Sequence, residues 1–490
     1  MKRYGLPLLL AIFPLLLTLG CEPEPSPAPP ATGTAISTPA KPPAEVPVKA
    51  APAPVNTRLP FTESLPAKAY ELPSGALASW REAREHQPAL LLYASHPLLE
   101  PIPAGARAEL QSLLERSSAQ EIVSRSRYWG ANPALLPPQT VSAAIDAGLI
   151  GELILIRPTR AEPKAFPLDV IRHELRQGQF LTENEARALN LVAEGVISGT
   201  VRGLPLRIVH PERLPKLTRP ALLHIDLGYF RDMYVNEVKT PSYDLIQQLA
   251  GQVADAGNPT VAATLSFSNQ EAGLSLESRF IMRDLAAILA NPKLLKGATP
   301  ASWALRASAL YAGEMFSEGR ARELTEQAVA ATPDDAAAHY ALALNLFEQN
   351  RSEEGFAALD RAARLDSGYA LEYLYLAERG LELGQFGKSI ELMHKLVAAL
   401  PDVPFLRLQL ANYLIQAGRG PEAVPLVAQL RALRWSETVH PGVVSLLEEM
   451  SQVATSNPLP RSPDGPGAPS ASRSLRMPGF DHSMSGKAGQ

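Results

Sequence analysis

The chain has 490 residues, enough for about two or three domains, and a formal net charge of −4, which gives no electrostatic reason to expect a nucleic-acid partner. Its 46 prolines are about twice the average share, so part of the length belongs to linkers or tails rather than packed core. The one cysteine, Cys21, excludes a disulfide within the chain and leaves any metal site to histidines and carboxylates.

Lys2 and Arg3 precede an apolar run over 6–19, the pattern of a secretory signal peptide covering 1–20. The run is too short for a good spanning helix. Leu17-Thr18-Leu19-Gly20-Cys21 resembles the bacterial lipobox. That resemblance implies cleavage before a lipidated Cys21 whose acyl chains, palmitate among them, hold the protein at a membrane. Glu22, standing where an inner-membrane sorting aspartate would be, favours the outer membrane of the cell envelope. An ordinary cleaved signal with an incidental cysteine is the other reading. Residues 21–59 are rich in Pro and Ala without apolar periodicity, so they read as an extended tether.

Over 60–297, short aliphatic runs alternate with amphipathic stretches. Strands are expected at 89–94 (ALLLYA), 152–157 (ELILIR), 204–209 (LPLRIV), 221–226 (ALLHID) and 261–267 (VAATLSF). Helices are expected at 104–115, 142–147, 183–193, 242–256 and 277–289. Near-continuous apolar strands between amphipathic helices imply an α/β domain: a mainly parallel sheet with helices on both faces. His96, Asp226, Ser266, Ser268, Asn269 and Glu271 follow or end strands, where open α/β sheets hold ligands.

The order of Trp80, PALLLYASHPLLEPIP, IDAGLIGELILIRPT, LLHIDLGYF and TLSFS resembles the ureohydrolase-like fold of arginase, agmatinase and histone deacetylase, most closely its peptide-arginase-like branch. The resemblance implies two manganese ions bridged by a hydroxide, held by an Asp-x-His-x-Asp motif, an Asp-x-Asp motif and an upstream histidine. Here the first motif falls on Ala94-Ser95-His96-Pro97-Leu98 and keeps only its histidine. The second falls on Asp226-Leu227-Gly228, and the upstream position falls near Ser74. One imidazole and one carboxylate cannot hold a binuclear site, so no metal and no cofactor are expected.

His96 therefore reads as a loop residue with a satisfied imidazole. Asp226 reads as a structural hydrogen-bond acceptor, with ligand binding and catalysis as its alternatives, because a buried carboxylate is costly unless paired. His224 lies one strand repeat away on the same face and is the expected partner. No Gly-rich phosphate loop, G-x-S-x-G elbow or H-E-x-x-H motif is present.

From Ser302 the sequence repeats with a period of 34, in blocks starting at Ser302, Ala336, Ala370 and Pro404. Position 8 is Ala309, Ala343, Ala377 and Ala411; position 20 is Ala321, Gly355, Ser389 and Ala423. This spacing is that of four tetratricopeptide repeats over 302–437, an all-α solenoid with a capping helix in 438–455. First-helix residues His339, Asn345, Tyr373, Arg379 and Asn412 are candidates to line a concave face that binds another protein or peptide; the alternative is that the repeats serve as packing mass against the neighbouring domain. Residues 456–490 lack a core-forming pattern. Together these features describe a lipid-anchored scaffold with a non-catalytic α/β domain. The alternative is a hydrolase acting on C–N bonds of a guanidino or peptide substrate, using manganese, zinc or no metal.

Overall fold

The computed structural model describes residues 56–267, 275–297 and 299–456. The leader, Cys21, most of the tether, Ser268, Asn269, Glu271 and the tail from 457 onward lie outside the described residues. The described residues belong to one compact unit.

Eight strands are described: β1 (Ala67–Tyr70), β2 (Ala89–Tyr93), β3 (Glu152–Ile156), β4 (Asn190–Ala193), β5 (Val196–Val201), β6 (Leu204–Val209), β7 (Ala221–Asp226) and β8 (Thr260–Ser266). They form one sheet in the order β1-β8-β7-β2-β3-β6-β5-β4. Neighbours from β1 to β6 are parallel, while β6, β5 and β4 form an antiparallel meander at one edge. Every residue of β2 and β7 is buried, which explains their almost uninterrupted apolar sequence: side chains of both parities meet packed layers.

The helix Ser242–Ala256 has the expected bounds and ends on Gly257 in the left-handed region (φ 56°). The helix expected over 183–193 does not run that far. It spans Glu183–Ala188, opened by a capping box between Thr182 and Glu185. Leu189 then turns to extended backbone (φ −61°, ψ 132°), and Asn190–Ala193 pairs with β5 instead. Backbone pairing has overridden a pattern compatible with either element. The helix Leu168–Gln177 and strands β1, β4 and β5 add to the elements expected from sequence.

Two apolar layers flank the sheet. Leu90, Leu92 and Leu222 face a core that includes Leu77 and Trp80 of the helix Ala76–Glu82. Leu91, Tyr93, Leu223 and Ile225 face the helices Ser242–Ala256 and Phe280–Ala290, and that core continues without a break into the C-terminal helices.

The 34-residue phase is realised as four helical hairpins: Ala301–Glu314 with Glu318–Ala331, Ala336–Glu348 with Ser352–Leu365, Glu372–Glu382 with Phe386–Ala399, and Pro404–Gln416 with Gly420–Arg431. Val443–Thr455 packs on the last. Small residues let paired helices approach: Ala343, Ala377, Ala411, Ser389 and Ala423 are fully buried. A Cβ added at Gly355 would meet the Phe347 ring at 2.6 Å. Position 15 of each repeat lies in the turn between paired helices and takes a positive φ, at Phe316 (55°), Asn350 (62°), Gly384 (75°) and Gly418 (74°). Asn and Gly tolerate that backbone; an aromatic side chain there is strained.

The expected boundary between 297 and 302 is no break in packing. Trp303 stacks on Tyr243 of the α/β half at 5.7 Å between ring centroids. Arg306, buried, donates to the Tyr243 hydroxyl (2.9 Å) and Asp284 (2.7 Å), and also pairs with Asp335. Arg279 bridges the halves: it donates to Glu71 (2.9 Å) and bidentately to Asp366 (2.7 Å each). At the far end the Phe405 amide donates to the Trp129 carbonyl (3.3 Å). His440 Nε2 meets the Gly130 carbonyl at 2.6 Å, and the Ser436 amide donates to Ala131 (3.0 Å). First-helix positions 2 and 5 of the repeats, Trp303, Arg306, Tyr340, Leu374, Phe405 and Leu408 among them, are buried.

Candidate functional site

The expected ligand position at the carboxyl end of β7 carries a chain of buried polar groups on the face toward Trp80. Strand register sets Thr264 beside His224 and Ser266 beside Asp226. Trp80 Nε1 donates to Thr264 Oγ1 (3.3 Å), and Thr264 Oγ1 lies 2.9 Å from His224 Nδ1. His224 Nε2 lies 3.2 Å from Ser266 Oγ, which donates to Asp226 Oδ2 at 2.6 Å. The Gly228 amide donates to Asp226 Oδ1 (2.9 Å).

The serine hydroxyl donates to the carboxylate, so Nε2 carries the imidazole hydrogen toward Ser266, and the one Thr264 hydroxyl proton is shared between Nδ1 (2.9 Å) and the Leu223 carbonyl (3.3 Å). The neutral ring is then satisfied at both nitrogens. Burial pushes the His224 pKa down to about 3, in keeping with that state. The direct pair expected between His224 and Asp226 is thus replaced by a linkage through Ser266.

The other positions of the resembled metal motifs are engaged locally. His96 Nδ1 accepts the Leu98 amide (3.0 Å), and its ring meets Phe180 edge-on at 4.8 Å; burial lowers its pKa to about 4. Leu98 is buried with φ 55°, a strained backbone for a branched side chain. Ser74 Oγ is hydrogen-bonded to Ser126 Oγ. Gly228, at the position of a second carboxylate, supplies an N–H to the first. Among the described residues no group of three or more His, Cys, Asp or Glu is arranged to hold a metal ion, and no helix is long and apolar enough to cross a membrane.

The five repeat residues occupy different settings. His339 Nε2 meets the Pro333 carbonyl (2.8 Å), and Asn345 donates to the Ala341 carbonyl (3.0 Å). The Tyr373 hydroxyl donates to Asp360 of the preceding hairpin (2.6 Å), so that buried ring lies between repeats. Asn412 is buried and Arg379 is exposed. Exposed apolar residues lie at the turns between paired helices, where Phe316 is 93% exposed and Leu383 65%, with Met315 preceding Phe316, and also along the helices at Tyr311, Tyr375, Val424, Val444 and Val453. Positive φ at an aromatic residue has no sequence signature by itself. Alignment of position 15 against Asn350, Gly384 and Gly418 is the signal that exposes it.

A second concavity, about 210 Å³, opens where the chain leaves β3 and β6, against the helix Ser242–Ala256. Arg160, His210, Glu212, Gln248 and Gln252 line it with Met233 and Leu245. None of these was singled out from sequence, because the site is assembled from loops distant along the chain.

No family model matches the chain, and no curated protein matches it. Among solved structures it is similar to MamA, with 21% identity over 32% of this chain and 93% of that one, at a TM-score of 0.22. A second MamA structure gives 23% identity over 31% and 84%, at 0.21. A thermophilic TPR protein from Thermus thermophilus gives 22% over 36% and 92%, at 0.20. Scores of this size carry no argument about this chain, whose repeat fold stands on its own helices.

Proposed function

We propose that the chain is a lipid-anchored envelope protein that acts as a protein-interaction scaffold through its tetratricopeptide-type repeats, with an α/β half that is structural rather than catalytic. The observation that carries the scaffold reading is the exposed aromatic turn at Phe316. Strain and exposure at one residue are both unfavourable for a surface that meets only water, and the other three repeats avoid them with Asn or Gly. A partner that covers Phe316, Met315 and Tyr311 supplies the missing burial. Because Trp303, Arg306 and Phe405 are already engaged by the α/β half, the partner meets the turn edge of the repeats.

A photo-crosslinking residue at Phe316 in the full chain tests this in its own membrane. A discrete adduct, whose partner no longer co-purifies with a correctly folded Phe316→Asn variant, supports the reading. Equal recovery of the same partner by Phe316→Asn sinks it.

The anchor rests on Cys21 and the lipobox-like LTLGC. Metabolic labelling with an alkynyl palmitate analogue should mark the chain, and Cys21→Ser should abolish the label. Separation of inner and outer membranes then tests the outer-membrane assignment. The non-catalytic reading is supported by Asp226 accepting from Ser266 and Gly228 and by His96 accepting from Leu98. Stoichiometric manganese or zinc in the purified chain, lost on Asp226→Ala, would overturn it.

A further inference from the structure

We propose that the cleft between the exits of β3 and β6 binds a small zwitterion, either a free α-amino acid or a short peptide with both termini charged. The assignment is independent of what the repeats bind.

Place and size come first. The cleft lies outside the carboxyl ends of two neighbouring parallel strands. At about 210 Å³ it is smaller than the roughly 300 Å³ at which drug-sized sites begin, so its occupant is a small molecule.

Charge then selects the class. Arg160 comes from the loop after β3 and Glu212 from the loop after β6. Among the described residues the neighbouring charges pair with one another, Arg157 with Glu174, Arg207 with Glu152 and Arg213 with Glu194, and not with Arg160 or Glu212. A guanidinium and a carboxylate on the loops after two neighbouring strands match a molecule with a carboxylate at one end and an ammonium at the other. Both residues are exposed, and their loops are clamped. Buried His210 meets the Ala161 carbonyl through Nε2 (2.8 Å) and accepts the Glu212 amide on Nδ1 (3.2 Å). One imidazole therefore fixes the neighbour of Arg160 and the backbone of Glu212 together.

The facing helix completes the recognition surface. Gln248 and Gln252 are four residues apart on one helix face and offer both donors and acceptors, while Leu245 and Met233 give an apolar wall for the rest of the ligand.

The test uses the full chain in detergent micelles, with the twenty proteinogenic amino acids and the dipeptides Gly-Gly and Ala-Ala as probes. Thermal unfolding is followed by calorimetric titration of any probe that raises the midpoint. At least one zwitterion should bind, and its N-acetyl derivative and its decarboxylated amine should not. Arg160→Gln and Glu212→Gln should each weaken binding about tenfold or more, with unliganded midpoints unchanged. Binding of amino acids without dipeptides, or the reverse, identifies the source. Failure of every zwitterion to bind, equal binding of the N-acetyl form, or unchanged affinity in both variants would overturn the proposal.

Discussion

Ser266 stands between His224 and Asp226: its hydroxyl donates to Asp226 Oδ2 at 2.6 Å and is met by His224 Nε2 at 3.2 Å. In a nucleophile relay the imidazole lies between hydroxyl and carboxylate, so that it can take the hydroxyl proton. Here the order is inverted, with the hydroxyl between imidazole and carboxylate. The arrangement stabilises the sheet by satisfying three buried polar groups on neighbouring strands.

Ser266→Ala removes the donor to a buried carboxylate and the acceptor of a buried imidazole. Hydrogen bonds to charged groups are worth about 1.5–3 kcal/mol, so a loss of roughly 3 kcal/mol is expected in urea unfolding of the full chain. A loss under about 0.5 kcal/mol would mean that water replaces the hydroxyl without cost.

Acid should destabilise the fold through the buried histidines. His224 has its pKa lowered to about 3 by burial, against about 6.5 unfolded. Between those values the unfolded state binds a proton that the folded state refuses, so the stabilisation is full above pH 6.5 and lost as pH falls. At about 1.4 kcal/mol per unit, His224 accounts for up to about 2 kcal/mol between pH 6.5 and 5. His96, lowered to about 4, acts in the same direction. Asp284 opposes them, because burial raises it to about 6 even with Arg306 alongside, and its folded form takes up a proton first. Unfolding free energies at pH 7 and 5 should show a net loss in the parent and a flatter slope in His224→Gln.

Arg279 ties Glu71 to Asp366 while almost wholly buried. Burial alone would lower its pKa, but Glu71 and Asp366 more than offset this and hold it above the usual range. Arg279→Met leaves two acidic groups facing each other without their cation, at an expected cost of about 3–5 kcal/mol in denaturant unfolding. Gly368→Ala should reproduce part of that loss, since an added Cβ would collide with the Arg279 guanidinium.

Phe316→Asn should stabilise the isolated protein. The left-handed backbone costs a bulky residue about 1–2 kcal/mol, and Asn tolerates it, so a gain of about 1 kcal/mol is expected in thermal or urea unfolding. Gain of stability with loss of partner capture is the signature of a residue kept for binding.

The central strands were legible because burial on both faces leaves little choice of residue: ALLLY, ELILI and ALLHID admit few other readings. The repeat phase was legible for a different reason, since close helix approach demands small residues at fixed intervals. Strand β4 was not, because all four of its residues are exposed and its short apolar run continues a helical pattern. Ser266 could be placed at a strand end from sequence, but its position between His224 and Asp226 follows from the register of β7 against β8. The clamp at His210 was beyond reach for the same reason, as Ala161 and Glu212 are brought together by the adjacency of β3 and β6.

The contacts between the hairpins and the sheet half also bear on how many hairpins there can be. In a free-standing array one unit can be duplicated or deleted, since each touches only its neighbours. Here Trp303 meets Tyr243, Asp366 meets Arg279 and Phe405 meets Trp129, so successive units are matched to different stations on a rigid body. Removing 34 residues from the middle would shift every later contact by a whole unit and leave Trp129 and Gly130 without their partners. The hairpins are therefore matched to the sheet half, and deleting one unit should cost the contacts at Trp129 and Gly130.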